Sequence, residues 1–535
     1  MAALNVGAII AKTCQSRASR RTTAQRPSHA EREFAMKRID LLREMSFGVQ
    51  VAEDEVNALA GYFVETNQWA RIAKGDIDII RGEKGAGKSA IYSLLMTRAD
   101  TFFDQGILLV AAENPRGATV FKDLIADPPT TENEFVVLWK LYILTIIAQQ
   151  LREYDIRGAK AQKIFIALEG AKLLEKEFSL TGVLRSVHEY AKRIVAAESV
   201  EGGLTLDPIT QMPIGVNGKI VLREPSADLK SIGFSSVDNL FALLDDVLSE
   251  SSLAVWVLLD RLDVAFVENH ELEANALRAL IRAYADIKSR GQISLKIFLR
   301  EDIWKRITER GMREASHLIR YVILDWPQPA LLNLILRRLL NNSALVKEFG
   351  IDVTSILEDA AKQEDIFYRF FPKQVEQGPQ KAQTFKWLVT RCADGTGKTA
   401  PRELIHLLNC ILEQEIRRLE NGGAAAANDQ LFDRSVFKSA LPTVSNARLN
   451  QYLYAEYASE RPFVSKLEGQ KAEQTPDSLA HLWSLSHNAA IGKAKQLVEL
   501  GFFEERGTRD EPTYWVPFLY RDALNLVQGK ADADD

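Results

Sequence analysis

Eight consecutive residues, Gly82-Glu83-Lys84-Gly85-Ala86-Gly87-Lys88-Ser89, satisfy the pattern GxxxxGK[ST] at every constrained position. Few folds can use such a run. Its glycines let the backbone turn tightly enough for successive N–H groups to converge on one anion. That geometry needs a strand to deliver the loop and a helix to leave it. Asp76-Ile77-Asp78-Ile79-Ile80 alternates as a short strand, and Ser89 to Met96 reads as the opening of a helix. The helix adds its N-terminal dipole and unpaired amides. Gly82, Glu83, Lys84, Gly85, Ala86, Gly87, Lys88, Ser89 and Ala90 are therefore the predicted phosphate-binding residues. In such a loop the lysine, Lys88, reaches the β- and γ-phosphates and the hydroxyl of Ser89 ligates Mg²⁺. The expected cofactors are ATP and Mg²⁺.

With 535 residues the chain has room for roughly two to four domains, each with a substantial core. A net charge of −5 argues against a protein that coats nucleic acid, because dense Lys/Arg surfaces drive that binding. Cys14, Cys392 and Cys410 are too few and too scattered for a disulfide framework, which points to a reducing, cytoplasmic setting. No uninterrupted apolar run approaches the roughly 20 residues of a membrane helix, so no membrane partner is expected. Residues 1–30 carry Lys12, Arg17, Arg20, Arg21 and Arg26 without one Asp or Glu. That composition matches a transit peptide, but a disordered basic tail has it too, and the tail is the reading taken.

Beyond the loop helix, Ile107 to Ala112 is an apolar run of buried-strand length, and Glu134 to Leu151 reads as a long helix. Residues 155–200 look helical. The glycines, prolines and Asn217-Gly218 of 201–223 suggest a β-hairpin, so 155–232 is taken as an insertion. Ser235/Ser236 then caps the amphipathic stretch Val237 to Leu248. Leu253 to Leu259, Ile293 to Leu299 and Tyr321 to Leu324 are further strands, with a helix over Leu272 to Ser289. Continuous apolar strands alternating with helices predict an α/β fold with a parallel sheet covered on both faces. The expected domains are a core over 31–326, a helical lid over 327–420 and a last unit over 430–525.

Leu253 to Asp260 has the form of a buried strand ending in a carboxylate, which in a phosphate-loop protein holds Mg²⁺ beside the loop serine. Asp260 is the second predicted metal residue. Arg261 follows it, where many related ATPases place a glutamate. Asp263 and Glu268 are the next carboxylates, and Asp263 is the predicted water-orienting group. The strand ending in Arg300 brings a guanidinium to where a γ-phosphate would lie. Arg306, Arg310 and Arg313 are candidates for an arginine acting in trans. Asp394 to Thr399 imitates a second phosphate loop but lacks its first glycine and a preceding strand, and reads as a helix-to-helix connection. Tyr62, Phe63 and Trp69 could stack on a base, though core packing is the commoner role of such residues.

The order of phosphate loop, Leu259-Asp260, strand-ending Arg300, helical lid and Pro401-Arg402 resembles the AAA+/STAND branch of P-loop ATPases. That branch includes origin-recognition-type ATPases and signalling ATPases with a NACHT or NB-ARC core. Arg81 to Tyr92 and Leu258 to Phe266 look closest to an uncharacterised group of bacterial P-loop ATPases. The resemblance spans most of 45–525. It implies a parallel-sheet P-loop NTPase core with a nucleotide between core and lid, and Arg402 as the lid arginine. Arg261 after Asp260 departs from the active pattern, so slow turnover, as in a switch, is expected; the resemblance hints at a homo-oligomer or protein effector in signalling or defence against phage, with an origin-recognition-like DNA loader as the alternative. Asp477 to Leu485, Asn488 to Leu500 and two strands flanking Gly507 to Glu511 resemble a winged helix. Acidic residues outnumber basic ones in that unit, so DNA is a possible partner but not the favoured one.

Overall fold

The computed structural model describes residues 29–49, 55–113, 121, 128–129, 131–175, 179–199, 219–262, 270–309, 311–312, 318–426, 428–509 and 511–531. Residues 1–28 of the basic tail, 201–218 of the expected hairpin, Asp263, Glu268, Arg310 and Arg313 lie outside them.

Strands β1 (Ile79–Gly82), β2 (Ile107–Ala111), β5 (Ala254–Leu259), β6 (Ile293–Arg300) and β7 (Tyr321–Ile323) form one sheet in the order β2-β5-β6-β1-β7. Every pairing in it is parallel. The small pair β3 (Ile220–Val221) and β4 (Ser235–Ser236) stands apart. The two-residue period of the strands divides their side chains between two hydrophobic layers. Ile79, Val255, Val257, Leu259, Leu295 and Ile297 face the helices Glu132–Glu153 and His270–Ile287. Ile80, Trp256, Leu258, Phe298 and Val322 face the loop helix Lys88–Thr97. Coverage on both sides explains why the strands read as unbroken apolar runs. β1 begins three residues later than the sequence alternation suggests; Ile77 and Asp78 precede it as buried chain.

Among the described residues Glu132–Glu153 is the one helix long and apolar enough to cross a membrane. It is instead a core helix, with Trp139, Tyr142, Ile143, Ile146 and Ile147 all fully buried. Helices Ala159–Gly170 and Leu180–Ser199, in the segment 155–232, share its hydrophobic layer.

The C-terminal half is packed differently. Helices Gln328–Leu340, Pro401–Glu420 and Ser435–Ala447 share one continuous cluster with the last unit, so no break in the core separates 327–420 from 430–525. Leu42, Met45 and Phe47, following or ending the helix His29–Glu44, bury into this cluster and not against the sheet. The last unit places helix Pro476–Trp483 before helix His487–Glu499, and Gly501 ends the second at φ +72°. β9 (Glu504–Gly507) and β10 (Pro512–Trp515) pair antiparallel, and β8 (Lys471–Gln474) and β11 (Val527–Lys530) complete a sheet of order β11-β8-β10-β9. β8 and β11 escape sequence reading because neither is apolar along its length.

The connection Asp394 to Thr399 is a folded turn. Asp394 Oδ1 accepts from the backbone N–H groups of Thr396 (2.9 Å) and Lys398 (3.2 Å). Gly395 donates to the Gly501 carbonyl at 2.7 Å, an approach too close for any side chain.

Candidate functional site

The sheet delivers four groups to its C-terminal edge, where ligands of parallel sheets bind. β1 runs into the glycine loop, Asp260 follows β5, Arg300 closes β6, and Trp326 lies just past β7. Gly85 at φ +85° and Gly87 at φ +97° hold left-handed backbone that the loop requires. A Cβ added to Gly85 would also stand 3.0 Å from the Cβ of Arg402. Helix Lys88–Thr97 begins at once, with Gly87 as its cap.

Above this edge a cavity of about 260 Å³ opens between the sheet, the lid helices and residues 55–68. Lys84 to Ala90 line it, together with Asp260, Arg261, Arg300 and Arg402. Gly82 and Glu83 lie just outside, at the base of the loop. Lys88 Nζ donates to the carbonyls of Gly82 (2.9 Å) and Glu83 (3.0 Å), which holds its ammonium across the loop. Trp326 Nε1 braces the loop by donating to the Ala86 carbonyl at 2.8 Å. Among the described lining residues the cations Lys84, Lys88, Arg261, Arg300, Arg338 and Arg402 outnumber the carboxylates Glu55 and Asp260, although Glu456 and Asp302, outside the lining, engage Lys84 and Arg300. A cavity with that balance favours a polyanion.

Asp260 and Ser89 share this wall, although β6 runs between their parent strands. Tyr92, one turn beyond Ser89, has its phenol pushed upward, first by burial and then by the Asp260 charge. A buried carboxylate beside a hydroxyl supplies hard oxygen ligands of the kind Mg²⁺ takes. Arg402, at the start of helix Pro401–Glu420, has its Nε buried without a hydrogen-bond partner. Such an atom costs stability unless a ligand satisfies it.

Arg300 is placed less simply. It lines the cavity, yet its guanidinium is engaged by Asp302, through Nε at 3.0 Å and Nη2 at 2.8 Å, and by Glu456 through Nη1 at 2.5 Å. Arg306 pairs with Glu273 at 2.6 Å.

The far end of the cavity is apolar, lined by Leu59, Tyr62, Phe63, Val64, Leu334 and Ile405. Tyr62 and Phe63 therefore reach the site. Trp69 does not; it packs edge-on against Phe63 at 5.3 Å in the core. Sequence reading missed Glu55 and Arg338, a buried pair 3.0 Å apart whose members lie 283 residues apart in the chain. The Arg338 guanidinium also lies 4.4 Å from the Tyr62 ring centroid. Trp326 was findable, as an aromatic residue just past a strand of the sheet. Arg261 was noticed only for what it replaces. Its backbone is left-handed at φ +56°, a strain of about 1–2 kcal/mol for a non-glycine residue next to the metal-ligand candidate.

Fold and cavity define the chain's class: an α/β protein with a strand, glycine loop and helix that open onto a cationic cleft. No protein-family model matches the chain, and curated proteins give no significant match. Among solved structures it is similar to the Walker-type ATPase PABY2304 of Pyrococcus abyssi, at 11% identity and a TM-score of 0.38, covering 87% of this chain and 96% of that one. It is also similar to the Aeropyrum pernix ORC1 protein in complex with DNA, at 12% identity and a TM-score of 0.33, covering 89% and 97%. The Aeropyrum pernix ORC2 protein with ADPNP and ADP matches at 12% and 0.28, covering 87% and 89%. Likeness this loose carries no functional information.

Proposed function

We propose that this chain binds ATP with Mg²⁺ in the cleft between sheet and lid and hydrolyses it slowly, as a switch. The observation that carries the reading is the shared cavity wall of Lys88, Ser89, Asp260 and Arg402, with cations in excess. The loop amides and Lys88 would hold the β- and γ-phosphates, and the apolar end near Tyr62 and Phe63 would take the base. Ser89 and Asp260 would hold Mg²⁺, which when bound neutralises phosphate charge. Arg402 would reach the phosphates from the lid, so that nucleotide state sets lid position. Asp263 is assigned to the attacking water. With Arg261 after Asp260, in place of a second acid, turnover is expected to be slow.

The test is calorimetric titration of Mg²⁺-ATP together with phosphate release. Binding that is strongly weakened in Lys88→Ala, and turnover that is lost with binding retained in Asp263→Ala, support the reading. Absence of ATP binding by the wild-type protein overturns it. Unchanged turnover in Asp263→Ala moves the water-orienting role to Glu268 or a partner subunit.

The tandem helices and hairpin of the last unit support a winged helix, and with it a second reading as an origin-recognition-like DNA loader. Two of its basic groups are already engaged, Lys493 by Glu460 at 3.1 Å and Arg506 by Glu504 at 2.8 Å. That weakens a phosphate-gripping role and favours protein contacts, with an effector or a second copy, in cytoplasmic signalling or anti-phage defence. DNA binding with a steep salt dependence, present only with ATP, would restore the loader.

A further inference from the structure

Glu456 belongs to the C-terminal half, 156 residues beyond Arg300, yet its carboxylate stands between two cations of the cleft. The approach to it is unusual. Arg448–Leu453 is a π-helical stretch, a rare geometry found often at functional sites, and it runs directly into the short helix Tyr454–Glu456. Arg300 Nη1 donates to Glu456 Oε2 at 2.5 Å, and Lys84 of the phosphate loop donates to Oε1. The Lys84 ammonium also lies 5.3 Å from the Tyr452 ring centroid. Next in sequence, the Tyr457 hydroxyl donates to Asp302 Oδ2 at 2.7 Å and accepts from Arg300 Nη2 at 3.1 Å. With Asp302 on its other donors, the Arg300 fork is committed to protein carboxylates on both sides. A second, looser pair joins the same loop to the lid connection, Lys398 Nζ to Glu83 Oε1 at 3.5 Å. The two non-glycine residues between Gly82 and Gly85 are thus both held from the C-terminal half.

Burial alone would raise the Glu456 carboxyl, but Arg300 and Lys84 overrule it and hold it below the ordinary carboxylate value. The group is an anion bound to two of the cations that line the cavity, Arg300 and Lys84. A carboxylate and a γ-phosphate cannot both command the same arginine. The phosphate has more charge and a third oxygen to offer.

The geometry points to Glu456 as a positioning residue that holds Arg300 and Lys84 until a triphosphate takes them over, which loosens the attachment of residues 448–460 to the phosphate loop. A diphosphate ends one phosphate short and leaves the pairs intact. This rests on the nucleotide reading above and names the contact through which the nucleotide's length is reported to the C-terminal unit. Linkage makes the effect reciprocal: weakening the Glu456 pairs must favour the triphosphate over the diphosphate.

The experiment is calorimetric titration of the full chain with Mg²⁺-ATPγS and with Mg²⁺-ADP, in wild type, Glu456→Gln, Glu456→Asp and Tyr457→Phe. Glu456→Gln keeps shape and removes charge. It is expected to tighten ATPγS binding about tenfold while ADP changes less than about twofold. Tyr457→Phe should shift the ratio in the same direction by less, and Glu456→Asp should bring it back toward wild type. Hydrogen exchange over 448–460 should rise with ATPγS, relative to ADP, in the wild-type protein. A purely structural ion pair would move both affinities together with the melting temperature; that result, or an unchanged ATPγS-to-ADP ratio, overturns the latch. Wild-type protein that binds neither nucleotide overturns the nucleotide reading itself, and the latch with it. If Glu456→Gln does not fold, the ratio in Tyr457→Phe decides.

Discussion

The two ends of the parallel sheet hold similar side chains and treat them in opposite ways. Where β1 begins, Asp78 accepts from Lys296 Nζ (3.1 Å), Tyr284 Oη (2.8 Å) and Arg320 Nε (2.7 Å). Lys296 is wholly buried, donates also to the Ile77 carbonyl at 2.5 Å, and lies 4.3 Å from the Trp256 ring centroid. In this cluster the ions answer one another, and the burial of Asp78 and Lys296 makes that pairing necessary. Where β1 ends, cations exceed carboxylates, Arg402 Nε is unsatisfied and Arg261 sits in left-handed backbone. The same strands thus carry one cluster whose charges answer one another and, at the other end, a cavity lining in which cations outnumber carboxylates and the Arg402 Nε makes no hydrogen bond.

That contrast can be broken at either end. Asp78→Ala should have the largest effect on stability, a loss of about 3–5 kcal/mol, because it leaves Lys296 buried without its carboxylate. Chemical denaturation measures this, and the ATP affinity of the folded fraction should be unchanged. Lys88→Ala should do the reverse. Loss of charged hydrogen bonds to phosphate, about 1.5–3 kcal/mol, weakens ATP binding roughly 10- to 150-fold with little change in melting temperature. Arg402→Ala should weaken ATP binding several-fold and leave stability within about 0.5 kcal/mol, since its Nε makes no internal hydrogen bond. Equal stability losses in Lys88→Ala and Asp78→Ala would erase the distinction.

The smallest effect concerns pH. Burial alone would raise the Asp78 carboxyl, but Arg320, Lys296 and Tyr284 together hold it below the ordinary value. A depressed carboxylate contributes stability that is fully present above the unfolded value, about 3.9, and is lost as pH falls through the lower folded value. The acid limb of the wild-type stability curve should therefore be steeper below about pH 4 than that of Asp78→Asn.

Much of this was legible in the chain. The loop, the strand ending at Asp260, the helix start at Pro401 and the cap at Ser236 all depend on local patterns, and local patterns survive in sequence. Glu55 with Arg338 and Glu456 with Arg300 and Lys84 were not legible, because each joins residues far apart in the chain through tertiary packing alone. The division into lid and last unit looked sharper in sequence than it is in space. Sequence placed a boundary between 420 and 430, yet Leu431 and Phe432 bury at once into the cluster shared with the lid. Sequence offered Tyr62, Phe63 and Trp69 alike as base-stacking candidates beside the commoner core role, and could not separate Trp69, which packs in the core, from the two that line the cavity, because aromatic spacing does not show which face is open.

The most direct test of the account is the Mg²⁺ dependence of ATP affinity in wild type and in Asp260→Asn. If the glycine loop and Asp260 serve one magnesium–triphosphate, Mg²⁺ should tighten ATP binding in the wild-type protein and do so far less in the variant, while metal-free affinity stays the same. An Asp260→Asn protein that keeps the full Mg²⁺ enhancement would contradict it.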